Sequence, residues 1–302
     1  MALEGLQERY VNFYTDFAFK KLFGTEVNKD LLISFLNALL SGEEEIKDLT
    51  YLNTEHLSEH EEERKAVFDV YCVNEKGERF LVEMQKAEQR FFKDRSVYYS
   101  TFPIREQGPK GNWNYELKAV YTIGILNFSF DDSDPNYYHH EVKLVDMKTM
   151  KVFYDKLTYI YLEMPKFRKT ENELENLFEK WLYAISHLPA LMERPKALRE
   201  AVFEKFFRVA EIACFTQQER VAYEGSLKNY RDWYSIAETA EYRGWERGHS
   251  RGLAEGRAEG RAEGRNEEKR LIAENMIKMG MTVDDVCRIT GLSMEEVENI
   301  RP

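Results

Sequence analysis

The sequence predicts an α/β fold whose mixed central sheet is flanked by helices and followed by further helical segments. Two apolar runs, residues 66–73 and 79–85, are joined by a short segment rich in Asn, Gly and charged residues, which is the signal of a β-hairpin. A continuous apolar run at 117–126 is typical of a strand that is buried on both faces. Helical periodicity on either side of these strands predicts the flanking layers.

Residues 11–40 predict two helices, with Gly24 as a stop signal for the first. The second helix has an apolar stripe at spacing i, i+3 and i+4, which must be buried against the rest of the protein. The stripe consists of Leu31, Leu32, Phe35, Leu36, Leu39 and Leu40. Gly42 marks the end of this helix.

Beyond the hairpin, residues 86–106 return to helical spacing and stop near Pro103. The polar segment at 131–136 predicts a loop, and two more strands are expected near 140–146 and 158–163. With the hairpin and the long apolar run, these strands would build the mixed sheet.

A chain of 302 residues exceeds a typical single domain, so more than one unit is expected. From about residue 171 to 236 the pattern is helical throughout, which predicts a small helical subdomain packed on the α/β body. The chain therefore divides into an α/β domain, a helical subdomain, a repeat helix or linker, and a helix-turn-helix-like pair of helices, at residues 1–166, 167–240, 241–270 and 271–302 respectively.

The formal net charge is −11, from 54 acidic and 43 basic residues. Because nucleic-acid binders are expected to carry a basic footprint, the overall charge counts against a DNA-binding function. The sign is not uniform, however, since Lys86, Arg90, Lys93 and Arg95 follow the hairpin closely. The overall charge therefore does not exclude a local basic rim on an acidic protein.

Cysteine usage and hydropathy indicate a compartment. The three cysteines lie far apart without metal-ligand spacing, which is typical of thiols in a reducing compartment. The first residues lack a basic flank followed by an apolar segment, and no apolar run approaches the length that spans a membrane. We therefore expect a cytoplasmic protein without a signal peptide or a membrane partner. No glycine-rich phosphate loop is recognisable, so no nucleotide cofactor is expected.

Two acids in the predicted hairpin are the strongest indication of chemistry. Asp69 and Glu83 lie on adjoining strands among apolar residues, and side-chain alternation puts Glu83 and Gln85 on one face of the sheet. An acid in such surroundings is destabilising unless a cation or a partner compensates its charge. Two such acids could hold Mg²⁺, which prefers hard oxygen ligands. The alternative is a pair of strand-edge carboxylates in water or in structural salt bridges.

Glycine recurs every four residues from Gly244 to Gly264, with Glu and Arg in the same rhythm. An isolated helix of this kind is expected to be poor, because glycine costs up to about 1 kcal/mol per position and like charges meet at spacing i, i+4. In a parallel pair, the glycine stripes would allow close approach and the Glu flank of one chain would face the Arg flank of the other. Parallel homodimerisation is the preferred hypothesis, and a solvated, half-flexible linker is the alternative.

Two capping-box patterns, beginning at Thr282 and Ser293, predict a pair of short helices near the end of the chain. Cys287, Gly291 and Val297 fall where helix-turn-helix motifs place a small residue, the turn glycine and an apolar residue. Groove reading needs a polar or basic second helix, whereas this one carries three glutamates. A protein contact or dimerisation is therefore preferred over the reading of a DNA sequence.

Five segments of the chain form a recognisable series. They are Thr15–Gly24, Asn28–Asn37, Phe68–Val70, Val82–Gln85 and Tyr159–Lys166. In this order they resemble the Rpn recombination-promoting nucleases, which are also classed as PD-(D/E)XK nuclease-family transposases. The likeness spans roughly residues 10–166, and the glycine–arginine repeat and the terminal helix pair also look like tails common in this family. The resemblance implies a restriction-endonuclease-like fold and metal-dependent DNA cleavage in bacterial mobile-element recombination or phage defence.

The resemblance also implies roles for individual residues. Asp69 matches the metal-binding Asp and Glu83 matches the second acid, while Gln85 stands where the wider superfamily has a catalytic Lys. Asp16 and Lys20 match a helical pair that precedes the core, and their spacing puts them on one helix face. A neutral amide can orient a water or a phosphate but cannot accept a proton. The nucleophile would then depend on a metal-bound water, whose pKa falls on coordination, or on a lysine from elsewhere.

Lys20 is the candidate for that lysine. Lys86 ranks lower, because it would point to the other face of the sheet if the strand continued beyond Gln85.

We therefore expect a Mg²⁺- or Mn²⁺-dependent DNA endonuclease that hydrolyses phosphodiester bonds as a homodimer. The alternative is a non-catalytic protein whose nuclease-like body serves dimerisation or regulation, which the acidic charge and the missing lysine favour. The expected catalytic residues are Asp69, Glu83, Gln85 and Lys20. The expected metal ligands are Asp69, Glu83 and Asp16, and the expected nucleic-acid contacts are Lys86, Arg90 and Lys93.

Deletion of residues 243–265 should convert a dimer into a monomer, because it removes the glycine stripe that would pair two chains. Light scattering of the full chain and of the deletion variant measures the molar mass. A full chain that is already monomeric rules out the paired helix and leaves the linker.

Overall fold

The computed structural model describes residues 8–42, 45–53, 55–56, 66–109, 111–130 and 134–300. The chain divides into two compact units, residues 1–231 and 232–302. The first contains a six-stranded mixed sheet flanked by helices, so the predicted α/β class is confirmed. The described part of the second unit is helical.

The strands of the described residues are β1 (Leu49–Tyr51), β2 (Glu55–His56), β3 (Ala66–Val67), β4 (Val70–Asn74), β5 (Arg79–Gln85), β6 (Val120–Leu126), β7 (His139–Asp146) and β8 (Lys151–Glu163). The main sheet has the order β1–β4–β5–β6–β8–β7, with β4 and β5 antiparallel and β5, β6 and β8 parallel. β2 and β3 form a separate pair. The ends of the three parallel strands meet at one edge, where Gln85, Leu126 and Glu163 are in register.

The helices are α1 (Asp16–Phe23), α2 (Lys29–Leu39), α3 (Phe92–Arg105), α4 (Leu177–His187), α5 (Ala201–Ala210), α6 (Gln217–Lys278), α7 (Val283–Thr290) and α8 (Met294–Glu298). One face of the sheet packs against α1, α2, α4 and α5, and the other face packs against α3. On β5, Val82 and Met84 join the core of α1 and α2, whereas Leu81 packs with Tyr99 and Phe102 of α3. The alternation predicted for this strand is confirmed.

The prediction of one continuous strand over residues 66–73 is wrong. β3 ends at Val67 and β4 begins at Val70, so Phe68 and Asp69 lie between the two strands. Phe68 is fully buried, and Asp69 is therefore held at a break in the sheet rather than within a regular ladder.

The helix expected over residues 86–106 begins only at Phe92 and continues through Pro103 to Arg105. Pro103 lies in the last turn and is buried, and because proline has no N–H the helix lacks one backbone hydrogen bond there.

β8 begins at Lys151, well before the predicted start near residue 158, and forms a long hairpin with β7. The outer part of this hairpin is exposed to solvent. The predicted loop at 131–136 lies partly outside the described residues.

The helices that follow the sheet share a core with α1 and α2. Trp181 of α4 is fully buried, and its ring lies 5.8 Å from that of Phe23 and 6.1 Å from that of Phe35. Phe203 and Phe206 of α5 also contact this indole, at 4.9 and 5.3 Å. The four domain boundaries stay predictions.

α6 is continuous through the glycine repeat, so these residues are helical. A Cβ placed on any glycine from Gly244 to Gly264 would meet no atom within 4 Å. The glycine stripe of the single chain is therefore open to solvent.

The end of α6 packs with α7 and α8 around a small core. Its members are Ala273, Met276, Val286, Leu292 and Val297. The predicted caps are confirmed, because the side chains of Thr282 and Ser293 accept backbone hydrogen bonds from Asp285 and Glu296. Within the described residues, no helix combines the length and apolarity that crossing a membrane requires.

Trp181→Ala should lower the free energy of unfolding by about 3–5 kcal/mol, because it opens a cavity where α4 meets α2 and α5. Chemical denaturation followed by circular dichroism measures this change. Trp245→Ala, at an indole that is 63% exposed, is the matched control and should have little effect. Equal stability of the two variants would contradict a shared core.

Candidate functional site

Asp69 and Glu83 each bond to the backbone beside the other. The Asp69 backbone N–H donates to Glu83 Oε1 at 3.3 Å, and the Met84 backbone N–H donates to Asp69 Oδ2 at 2.9 Å. Just before β4 starts, these bonds to carboxylates take the place of backbone–backbone bonds between the strands. This explains the break between β3 and β4. The exchange brings the two acids together at the end of β5.

Burial and a neighbouring acid disfavour the charged form of each of the two acids. Burial, followed by the charge of Asp69, raises the pKa of Glu83 to about 8. Burial also raises the pKa of Asp69, and the charge of Asp16 adds to this, although the bond from Met84 acts in the opposite direction. A proton or a cation is needed to offset these charges.

Gln85 is held in place by an arginine that sequence reasoning had not assigned to the site. The Gln85 side chain is buried, and its Nε2 donates to Glu83 Oε2 at 3.2 Å. Arg95 Nη2 on α3 donates to Gln85 Oε1 at 2.7 Å. Its guanidinium also lowers the pKa of Glu83, so it delivers positive charge to the acids. In the sequence, Arg95 is only one of several basic residues after the hairpin.

Lys86 approaches the acids from the opposite face. β5 ends at Gln85, so Lys86 lies just beyond the strand, on the side of the sheet that packs against α1. Its Nζ lies 2.9 Å from Asp16 Oδ1, and the charges of Lys86 and Lys20 both lower the pKa of Asp69. Lys20 is exposed and has no ion-pair partner among the residues that the structure describes.

Asp16, Lys20 and Asp69 line an open cleft of about 1010 Å³. Its other wall is the first part of α6, including Ser226 and Asn229. Asp69 is therefore accessible from solvent on this side of the sheet. Glu83 and Gln85 instead line a water-sized cavity next to α3, together with Arg95, Ser96, Tyr99 and Thr122.

Arg90 and Lys93, the remaining residues predicted to contact nucleic acid, are exposed. The Arg90 guanidinium lies 5.2 Å from the centre of the Phe91 ring, and Lys93 Nζ lies 4.9 Å from that of Phe130. Both residues are free to meet a phosphate, and their role stays a prediction.

A buried ionic cluster lies at the same edge of the sheet and was not foreseen. Glu163 is fully buried and bonds to His140 Nε2, to Lys166 Nζ at 2.9 Å and to the Phe130 backbone N–H at 3.0 Å. The side chain of His140 is 16% exposed, so it joins the cluster from the edge of the interior. Removal of one partner would leave an uncompensated charge inside the protein, which is strongly destabilising.

The fold and the acid pair define a nuclease-like α/β protein. A family model described as PD-(D/E)XK nuclease family transposase matches residues 13–240, and one described as the C-terminal HTH domain of the Rpn/YhgA-like nuclease family matches residues 266–302. Because the first match covers more than half of the sequence, the chain belongs to the PD-(D/E)XK nuclease family transposases, in their Rpn branch. The predicted family and restriction-endonuclease-like fold are confirmed. No curated protein and no solved structure matches the chain.

Family membership associates the chain with nucleases and mobile elements, and a nuclease with a helix-turn-helix domain implies DNA as a partner. PD-(D/E)XK nucleases typically use divalent metal ions. Asp69 and Glu83 fit such an ion, because they offer hard carboxylate oxygens whose charges need compensation.

In the described part of the chain, no three His, Cys, Asp or Glu side chains are grouped to hold a metal. An ion on Asp69 and Glu83 would therefore need water or phosphate oxygens as further ligands. Asp16 is engaged with Lys86, and its assignment as a third ligand stays a prediction.

The metal-free protein should become less stable as the pH rises. The folded chain retains the Glu83 proton up to a pKa of about 8, whereas an ordinary glutamate releases it at 4.5. The retained proton stabilises the fold by on the order of a few kcal/mol. This stabilisation is fully present below the pKa of an ordinary glutamate and is lost as the pH rises to the pKa of Glu83 in the folded chain.

Denaturation in EDTA across this pH range measures the slope, which Glu83→Gln should flatten and the exposed Glu88→Gln should leave unchanged. Mg²⁺ or Mn²⁺ should restore stability at high pH in the wild type and in Glu88→Gln, but not in Glu83→Gln. Identical slopes for the wild type and Glu83→Gln would refute a buried proton at this position.

Proposed function

We propose that the protein is a metal-dependent DNA endonuclease that hydrolyses phosphodiester bonds in recombination or mobile-element processes. The observation that carries this proposal is the pair of acids with raised pKa values, Asp69 and Glu83, of which Asp69 opens into a large cleft. These two residues would hold Mg²⁺ or Mn²⁺, with Asp16 as a further candidate ligand. When bound, the ion supplies charge that stabilises the phosphoryl transition state and acidifies water.

The neighbouring side chains would position the substrate and handle protons. Gln85 orients a water or a phosphate oxygen, and Arg95 keeps its amide in a fixed orientation. Neither the amide of Gln85 nor the guanidinium of Arg95 can accept a proton. The proton released by the attacking water would therefore go to a lysine or to solvent. Lys20 remains our first candidate because its side chain is exposed in the cleft, where its amine would have to be neutral to take the proton, and Lys86 is the second.

The rest of the chain would bring the site to DNA. Lys86, Arg90 and Lys93 would contact phosphates around the acids, and the glycine repeat of α6 would pair two chains. We expect this action in the cytoplasm. The division into an α/β domain, a helical subdomain, a repeat helix and a terminal helix pair belongs to the same proposal.

A non-catalytic nuclease-like protein for dimerisation or regulation is the second candidate. Gln85 in place of lysine favours it, and so do exposed apolar side chains on the outer part of the β7–β8 hairpin. Met147, Met150 and Phe153 are 81%, 71% and 79% exposed. A test for DNA cleavage distinguishes this non-catalytic protein from the endonuclease.

Asp69→Ala should reduce Mg²⁺-dependent nicking of supercoiled plasmid by at least about a hundredfold, the upper end of what loss of a supporting residue costs in metal sites. The control is Asp155→Ala, at an exposed position of β8, which should nick at the wild-type rate. Equal nicking by the wild type and Asp69→Ala would place the activity elsewhere. A larger loss in Lys20→Ala than in Lys86→Ala would assign the proton step to Lys20.

A further inference from the structure

A groove of about 440 Å³ runs along α3 beside the candidate site. It is lined by Arg90, Phe91, Asp94, Arg95, Tyr98 and Tyr99, and we refer to it as the α3 groove. The α3 groove is separate from the cleft that exposes Asp69, which is lined by α1 and α6.

Two aromatic rings stand open on this groove. Phe91 is 63% exposed and Tyr98 is 49% exposed, although neither is needed to cover the sheet. The Tyr98 ring is held edge-to-face against Phe102 at 5.3 Å, so it is positioned before any ligand arrives. A ring that is fixed on one side and open on the other is suited to stacking.

Positive charge alternates with these rings. The Arg90 guanidinium lies 5.2 Å from the Phe91 ring centre, and the Arg95 guanidinium lies 5.7 Å from that of Tyr99. Aromatic surfaces interleaved with arginine are the means by which proteins bind single-stranded nucleic acid, with bases on the rings and phosphates on the cations. An apolar protein segment would offer no anion to the exposed Arg90 guanidinium, so the charge favours the nucleic acid.

The α3 groove is connected to the candidate site by one residue. Arg95 lines the groove and also donates to Gln85 Oε1 at 2.7 Å, and Gln85 in turn bonds to Glu83. Arg95 therefore links the lining of the groove to Glu83 through Gln85.

We propose that the α3 groove binds an unstacked nucleobase, with Tyr98 as its stacking surface. The substrate is then a single strand or an opened end of a duplex, since the faces of paired bases within a duplex are covered by their neighbours. This substrate class rests on the proposed nuclease function, whereas the base-binding groove itself does not.

Equilibrium binding to the full chain in EDTA tests the groove without cleavage. The probes are a fluorescent oligothymidylate, a strand of the same length composed of abasic nucleotides, and a blunt duplex. Both single strands carry the same phosphates, so the difference between them reports base contacts. The wild type should bind the thymidylate at least about fivefold more tightly than the abasic strand, as expected for one stacked base.

Variants locate the contact. Tyr98→Ala should abolish the preference for bases, and Tyr98→Phe should retain it because the ring remains. The control Val97→Ala, at a neighbouring position of α3 that is 54% exposed, should behave like the wild type. Thermal unfolding of each variant verifies that the fold is unchanged.

Three results would overturn the inference. They are a wild type that does not distinguish the thymidylate from the abasic strand, a preference that survives in Tyr98→Ala, and a blunt duplex that binds as tightly as the single strand. Loss of plasmid nicking has no bearing on this binding test. A chain that prefers bases but does not cleave would retain the groove and disprove only the nuclease.

Discussion

The exchange of hydrogen bonds between Asp69 and Glu83 is the constraint on which the rest of the first unit depends. Each carboxylate accepts a bond from the backbone beside the other, so the strand pairing of β4 and β5 stops where the acids meet. This arrangement gathers two like charges at the edge of an apolar sheet. Because a buried charge without compensation is strongly destabilising, the helices on both faces must bring positive charge to this edge.

The two faces of the sheet supply this positive charge through different residues. On the side of α1, Lys20 and Lys86 lower the pKa of Asp69, and on the side of α3, Arg95 lowers that of Glu83. A lysine at position 85 would combine charge and proton transfer in one side chain. Here Arg95 carries a charge that it cannot give up, so in the proposed reaction the proton would have to pass to a lysine of the other face or to solvent. With Gln85 at this position, the positive charge and the proposed proton transfer would belong to different side chains.

Local sequence patterns predicted what depends on near neighbours. The alternation along β5 and the caps at Thr282 and Ser293 follow from spacing alone, and the structure confirms them. The break before β4 could not be predicted, because it depends on bonds between side chains and a strand distant in sequence. Arg95 looked like an ordinary basic residue until the packing of α3 placed it against Gln85. The helical pattern after residue 171 predicted helices there but could not show that α4 shares its core with α1 and α2.

The net charge of −11 does not decide against nucleic acid, because exposed charges act locally. At physiological ionic strength the Debye length is about 8 Å, so acids elsewhere on the surface are largely screened from a phosphate at this edge. A phosphate bound there would meet the few cations of the rim, such as Lys20, Arg90 and Lys93. Few ionic contacts give modest affinity with a shallow salt dependence. Stacking does not rely on counterion release, and it therefore contributes a larger share of recognition here than on a protein with a broad basic face.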